Sequence, residues 1–226
     1  MGYTQTINGY RVHPFKDRSA FLTHLREQNL KNILVALNAE KLMKDDAELR
    51  QLVNKHTGYP DGIGAVLALR MRGYPSVKIP GVEFWLDIIR HFYKEKSFCL
   101  IGGKEKILQA TVTRLKQEFE GINIVHTRNG YMDDKEQEKL IEDVAAQKPD
   151  IIFVAMGSPK QEHLIKKLYE RHPALYMGLG GSFDVYSGQK KRAPKAFQAL
   201  GLEWLYRLLK EPTRIKRQLQ LLRFGY

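Results

Sequence analysis

The chain has 226 residues, a hydrophobic fraction of 43% and a formal net charge of +12. That length suits one compact domain, or a domain with an appendage, and is enough to bury a real core. Its single cysteine, Cys99, excludes a disulfide framework and points to a reducing compartment, and no apolar run approaches the ~20 residues of a membrane span.

Nothing at the start resembles a secretion signal, so a cytoplasmic chain is expected. The first buried strand is predicted at "NILVAL" (32–37), followed by helical patterns over roughly 39–54, 62–72 and 82–95. Next come a strand at "SFCLIG" (97–102), a helix at 104–119, a strand at "INIVH" (122–126) and a helix at 135–147. "DIIFVAMG" (150–157), a helix at 159–171 and "ALYMGLG" (174–180) complete the alternation. This order predicts an α/β fold, a mostly parallel, Rossmann-like sheet flanked by helices. Several predicted strands end in glycine, at Gly102 and Gly103, at Gly157, and at Gly178, Gly180 and Gly181. Such ends either let a ligand approach the backbone or merely terminate strands. "LIGGKEK" and "MGLGGSF" both lack the full G-x-G-x-x-G fingerprint of dinucleotide binding, and there is no Walker A motif.

Composition turns basic around "GQKKRAPK", which divides the chain into an α/β domain over 1–192 and an appendage over 193–226. From Lys190 onward, ten lysines and arginines face two acids, Glu203 and Glu211, so this segment holds +8 of the net charge. Leu202, Leu205, Leu208 and Leu209 form one apolar stripe and Ile215, Leu219 and Leu222 another, interrupted by Pro212. With Trp204, Tyr206 and the surrounding cations, this is the pattern of helices that lie on an anionic membrane surface, although a leucine stripe also packs on a domain or on a second copy in a homo-oligomer.

Two polar clusters stand out. In "YPDGIGAVLAL", Asp61 reads either as a turn or capping residue or as a carboxylate at a pocket edge, able to take a proton from an attacking hydroxyl. In "VAMGSPKQEHL", Ser158 and Pro159 suit the start of a helix, which places Lys160 and Gln161 in its first turn, beside free N–H groups and the positive end of its dipole. No D-x-D pair is present to hold a metal on a diphosphate; Asp45–Asp46 and Asp133–Asp134 read as solvated pairs, and His91 and His163 are isolated.

Seven blocks, "NAEKL", "YPDGIGAV", "KIPGVEFW", "FCLIGGKE", "VAMGSPKQE", "MGLGGSFDVYSGQKKRAPK" and "LGLEWLYRLLKEPTRIKRQ", resemble in order the WecG/TagA/CpsF glycosyltransferases. The last block is most similar to the WecG branch. That branch moves N-acetylmannosaminuronic acid from its UDP donor to undecaprenyl-pyrophosphoryl-GlcNAc, forming lipid II of enterobacterial common antigen; TagA enzymes use UDP-N-acetylmannosamine. The resemblance implies an inverting displacement with Asp61 as base, Gln161 beside donor and acceptor, and Arg207, Arg214 and Arg217 neutralising the departing diphosphate without metal or other cofactor. Candidate substrate-binding positions are Asn38, Lys78, Gly102, Gly103, Tyr131, Gly157, Lys160, Gly180 and Asp184. Lys78 stands where many members have arginine, and Gly64 where some have serine. The implied place of work is the cytoplasmic face of the inner membrane, with a peripheral, anionic-surface contact and no nucleic-acid partner. Two rivals from other classes are a nucleic-acid-binding α/β protein and a non-catalytic nucleotide-binding module; no RNP1 or zinc-finger motif supports the first.

Overall fold

The computed structural model describes residues 4–199 and 203–210. The chain opens with a hairpin of β1 (Gln5–Ile7) and β2 (Tyr10–Val12), turned by Asn8 and Gly9, both at positive φ, the conformation tight hairpin turns require. Helix α1 (Arg18–Glu27) follows, capped by Asp17. The strand β3 (Asn32–Leu37) then leads into α2 (Ala39–Met43) and α3 (Ala47–Lys55). The single helix expected over 39–54 is therefore two. The break at Lys44–Asp46 arises because Asp46 leaves the helical conformation to accept from Leu49 N, capping α3.

A short strand, β4 (Thr57–Pro60), precedes α4 (Ile63–Arg70) and α5 (Gly81–Phe92). The remainder alternates: β5 (Ser97–Gly102), α6 (Glu105–Glu118), β6 (Asn123–Arg128), α7 (Asp134–Gln147), β7 (Ile151–Ala155), α8 (Lys160–Arg171) and β8 (Leu175–Gly178). Three short helices, α9 (Ser182–Tyr186), α10 (Lys195–Ala199) and α11 (Glu203–Lys210), end the described chain.

Six strands form one parallel sheet in the order β4-β3-β8-β7-β5-β6. The order follows from the handedness of crossovers. Connections running toward the β4 edge (α2 and α3, α7, α8) lie on one face, whereas α5 and α6, which lead toward the β6 edge, lie on the other. The four inner strands β3, β8, β7 and β5 thus feed two cores. Phe98, Leu100, Phe153 and Met177 pack beneath Trp85, Ile88 and Phe183, and Ile101, Val154 and Tyr176 pack on the opposite side against Val144, Leu164 and Leu168. Burial on both faces explains why these strands are continuous apolar runs. At the β4 edge, His13 N donates to Gly58 O at 2.8 Å, so the hairpin covers an edge that would otherwise be open.

Candidate active site

All six parallel strands point their carboxyl ends at the same rim, and the polar residues singled out in the sequence lie along it. At the end of β3, Asn38 caps α2, its Oδ1 accepting from Lys41 N at 3.0 Å. At the end of β4, Asp61 N donates to Leu37 O at 3.0 Å, extending the sheet pairing by one residue. Asp61 does not cap the helix that follows it; that position belongs to Gly62, which makes no side-chain capping bond. Instead Asp61 Oδ1 accepts from Gly81 N at 2.8 Å, taking one of the N–H groups left open at the start of α5. The positive end of α5 therefore faces this carboxylate. Space beside Gly81 is tight, because a Cβ would lie 3.0 Å from Tyr59 Oη. Burial, with the Asp61 charge adding to it, pushes the Tyr59 phenol well above its ordinary value, so Tyr59 stays neutral below a half-buried carboxylate.

Gln161 joins the loops after β7 and β8. Its Oε1 accepts from Gly157 N at 3.2 Å and from Gly180 N at 2.9 Å, and its Nε2 donates to Glu162 Oε1 at 3.2 Å. Only 4% of Gln161 is exposed. Both glycines sit at positive φ, 78° and 57°, which lets their amides converge on one oxygen. Glu162 in turn meets Lys41 Nζ at 2.7 Å. Burial raises the Glu162 carboxyl, but Lys41 and the Gln161 amide outweigh it and hold the group below the usual carboxylate range. A chain of bonds thus runs from the Asn38-capped helix through Lys41, Glu162 and Gln161 to both glycine loops. The expected side-chain cap by Ser158 is absent: α8 starts at Lys160, with Pro159 as its cap residue and a cis Ser158–Pro159 bond before it.

Gln161→Ala should leave the two glycine N–H groups without their acceptor and cost about 1–3 kcal/mol of stability. Chemical denaturation measures this, and an unchanged midpoint and slope would mean that the two bonds contribute nothing net.

Along β5 and β6 the rim is a glycine shelf. Gly103 N donates to Ala155 O at 3.0 Å and Gly130 N to Gly103 O at 2.8 Å. At Gly102, φ is 124° and a Cβ would collide with the Ala155 carbonyl, so no other residue fits. Tyr131 stands beyond the shelf, 66% exposed, and Asp184 is half-buried in the first turn of α9 behind Gly181. Lys160 is exposed at the start of α8 and makes no ion pair among the described residues.

Lys78 is bound to the appendage. Its Nζ donates to Glu203 Oε2 at 2.9 Å and reaches Gln198 O at 3.5 Å. Glu203 also receives Arg192 Nε at 3.0 Å, Arg192 Nη1 reaches Glu83 at 2.5 Å, and Glu83 pairs with Arg18. Burial raises the Glu203 carboxyl, but Arg192 and Lys78 pull it below the usual range. The start of α11 is therefore fastened to α5 and to the loop before it. Arg207 lies on α11 one turn after Glu203, while Arg214 and Arg217 fall outside the described residues.

Sequence reasoning missed Lys41, Glu162, Arg192 and Glu203. Lys41 and Glu162 are 121 residues apart, so no local spacing reveals the pair. The adjacent acids read as solvated are largely so: Asp45 is exposed and pairs with Arg50 at 2.6 Å, and Asp133 and Asp134 are exposed, Asp133 forming a capping box with Glu136.

A doubly wound parallel sheet, with glycine loops and a held carboxylate at its carboxyl rim, defines a Rossmann-like protein, a class in which ligands bind beyond that rim. The family is a narrower conclusion. The chain belongs to the glycosyl transferase WecG/TagA/CpsF family, whose model matches residues 5–226. It is therefore a glycosyltransferase, a class that takes a nucleotide-sugar donor and, in this family, generally a lipid-linked acceptor. Two solved structures are also similar to it. A crystal structure of RSP in complex with beta-NADH is 11% identical, with a TM-score of 0.33, covering 85% of this chain and 93% of that one. A crystal structure of RSP, a Rex-family repressor, is 12% identical, with a TM-score of 0.33, covering 83% and 91%. At that score neither carries weight, and the fold assignment rests on the strand order itself. Among the described residues, no helix is long and apolar enough to cross a membrane.

Proposed function

We propose that the protein is an inverting transferase that moves N-acetylmannosaminuronic acid from UDP to undecaprenyl-pyrophosphoryl-GlcNAc, forming lipid II of enterobacterial common antigen. The observation that carries this reading is the Asp61 carboxylate, held at the rim by Gly81 N–H at 2.8 Å. Asp61 takes the proton of the acceptor's sugar hydroxyl while that oxygen attacks the anomeric carbon from the face opposite UDP. The bond to UDP breaks in the same step and its electrons go to the diphosphate. Arg207, Arg214 and Arg217, carried on the appendage, stabilise that developing charge. The glycine rim of Gly102, Gly103, Gly157 and Gly180 lets the donor approach the backbone, flanked by Asn38, Tyr131 and Asp184. In this scheme residues 1–192 are the catalytic domain and 193–226 an appendage that works on the anionic cytoplasmic face of the inner membrane.

The donor's carboxylate needs a cation. Lys78, Arg128 and Lys160 are placed near strand ends or loops, but Lys78 is paired with Glu203, and Arg128 with Glu136 at 2.5 Å. Lys160 is the cation of the three without such a partner among the described residues, and it is assigned to the uronate. UDP-N-acetylmannosaminuronate should therefore be preferred over UDP-N-acetylmannosamine by tenfold or more in kcat/KM, since a charge-assisted bond is worth roughly 1.5–3 kcal/mol. UDP release with a short-chain GlcNAc-pyrophosphoryl lipid tests this, and Lys160→Met should narrow the gap. Equal or reversed preference would place the protein with the TagA-type transferases instead.

A further inference from the structure

Helix α4 leaves one apolar face uncovered. Its inner side, Ala65, Val66 and Leu69, is buried in the core. Its outer side presents Ile63, Leu67 and Met71, 40%, 51% and 88% exposed, and these residues are four apart and so form one stripe. No charged residue interrupts the helix before Arg70. A helix apolar on every side is normally buried on every side, so this stripe calls for a covering partner.

The surroundings state which kind. Between Asp61 and Glu83 the chain carries Arg70, Arg72 and Lys78 and no acid. Arg70 and Arg72 flank Met71 in the chain; Arg70 Nε donates to Ser76 O at 2.9 Å and Arg72 Nη1 to Ala68 O at 3.0 Å, and neither makes an ion pair among the described residues. A second copy docked by the same patch would set these cations against themselves. Residues 211–226 are a poor cover for the same reason, with Arg214, Lys216, Arg217 and Arg223 against the single acid Glu211. The partner that is both apolar and anionic is a phospholipid surface.

We infer that the Ile63–Leu67–Met71 stripe, with Arg70 and Arg72, is a docking surface for an anionic bilayer, separate from the basic tail. The placement fits, because α4 begins two residues after Asp61 and flanks the edge strand β4. On the function proposed above, the acceptor's sugar is joined to its lipid by only a pyrophosphate, so the element bordering the base has to lie against the membrane. The appendage is tied to the same region through Lys78.

The test uses the full chain with Met71→Cys carrying a polarity-sensitive fluorophore. Cys99, the one native cysteine, is fully buried and its thiol is pushed up by that burial, so labelling is confined to position 71. Vesicles containing phosphatidylglycerol should blue-shift the emission and phosphatidylcholine vesicles should not. In unlabelled protein, Leu67→Glu with Met71→Glu should weaken partition onto the anionic vesicles at least tenfold, while UDP release with a water-soluble acceptor is unchanged. Sedimentation with vesicles but unshifted emission would overturn the proposal, since the tail alone would then hold the protein. A shift that follows protein concentration without lipid would assign the stripe to a second copy. A shift present without lipid, independent of dilution and lost on deletion of 211–226, would assign it to the chain's own end. Failure of transfer with the shift intact would overturn the proposed reaction and leave the docking surface standing.

Discussion

Replacing Asp61 with asparagine should lower the transfer rate by about 10²-fold or more, the usual scale for loss of a general base. The structure makes asparagine the right substitution. Its Oδ1 still accepts from Gly81 N, so the junction of β4 with the start of α5 survives while the basicity of the carboxylate is removed. Alanine would also orphan that N–H and confuse a folding defect with a chemical one. Single-turnover UDP release, read beside donor binding and thermal unfolding, separates the steps. Donor affinity and melting temperature should stay near those of the parent chain. Near-normal turnover in a folded Asp61→Asn protein would remove this residue from the mechanism.

Deletion of residues 193–226 should abolish transfer even to a water-soluble acceptor that needs no membrane. The described strands and the glycine rim all precede the cut, and Arg192, which loses Glu203, keeps Glu83, so the α/β domain should remain folded. What disappears is the segment that carries Arg207, Arg214 and Arg217, together with Glu203, which fastens α11 to Lys78 and Arg192. Vesicle binding should fall to whatever α4 supplies alone. Lysine at the three arginine positions should weaken catalysis more than vesicle binding, because lysine keeps the charge but not the planar fork. Full activity of the truncated protein with the soluble acceptor would reduce the appendage to an anchor.

The strands β3, β5 and β7 are legible in the sequence because they are buried on both faces and read as unbroken apolar runs. The strand β4 is not, since "TGYP" is four residues long, lies at the sheet edge and ends in the proline of a turn-like Pro-Asp-Gly. The hairpin of three-residue strands escapes for a similar reason. Asp61 and Gln161 are visible as chemistry because each sits at a strand-to-helix junction with small or polar neighbours. What they bind is not visible. Asp61 reads as a local cap and proves to hold a helix that starts 20 residues later. Gln161 reads as a first-turn residue facing ligand, yet its carbonyl oxygen is engaged by two loops. Pairing across such distances depends on the fold and leaves no mark on local spacing.

The shared oxygen of Gln161 has a consequence for anyone reshaping this enzyme. With Gly157 and Gly180 joined at a single atom, the loops after β7 and β8 form one mechanical part. Lengthening either loop, or giving it a new side chain to admit a different sugar, pulls on the other through that amide. Changes in the two loops will not combine as independent contributions. On the function proposed above, new donor specificity is to be sought by varying both loops together with Gln161, or by working at the β5–β6 shelf, whose described bonds bypass it.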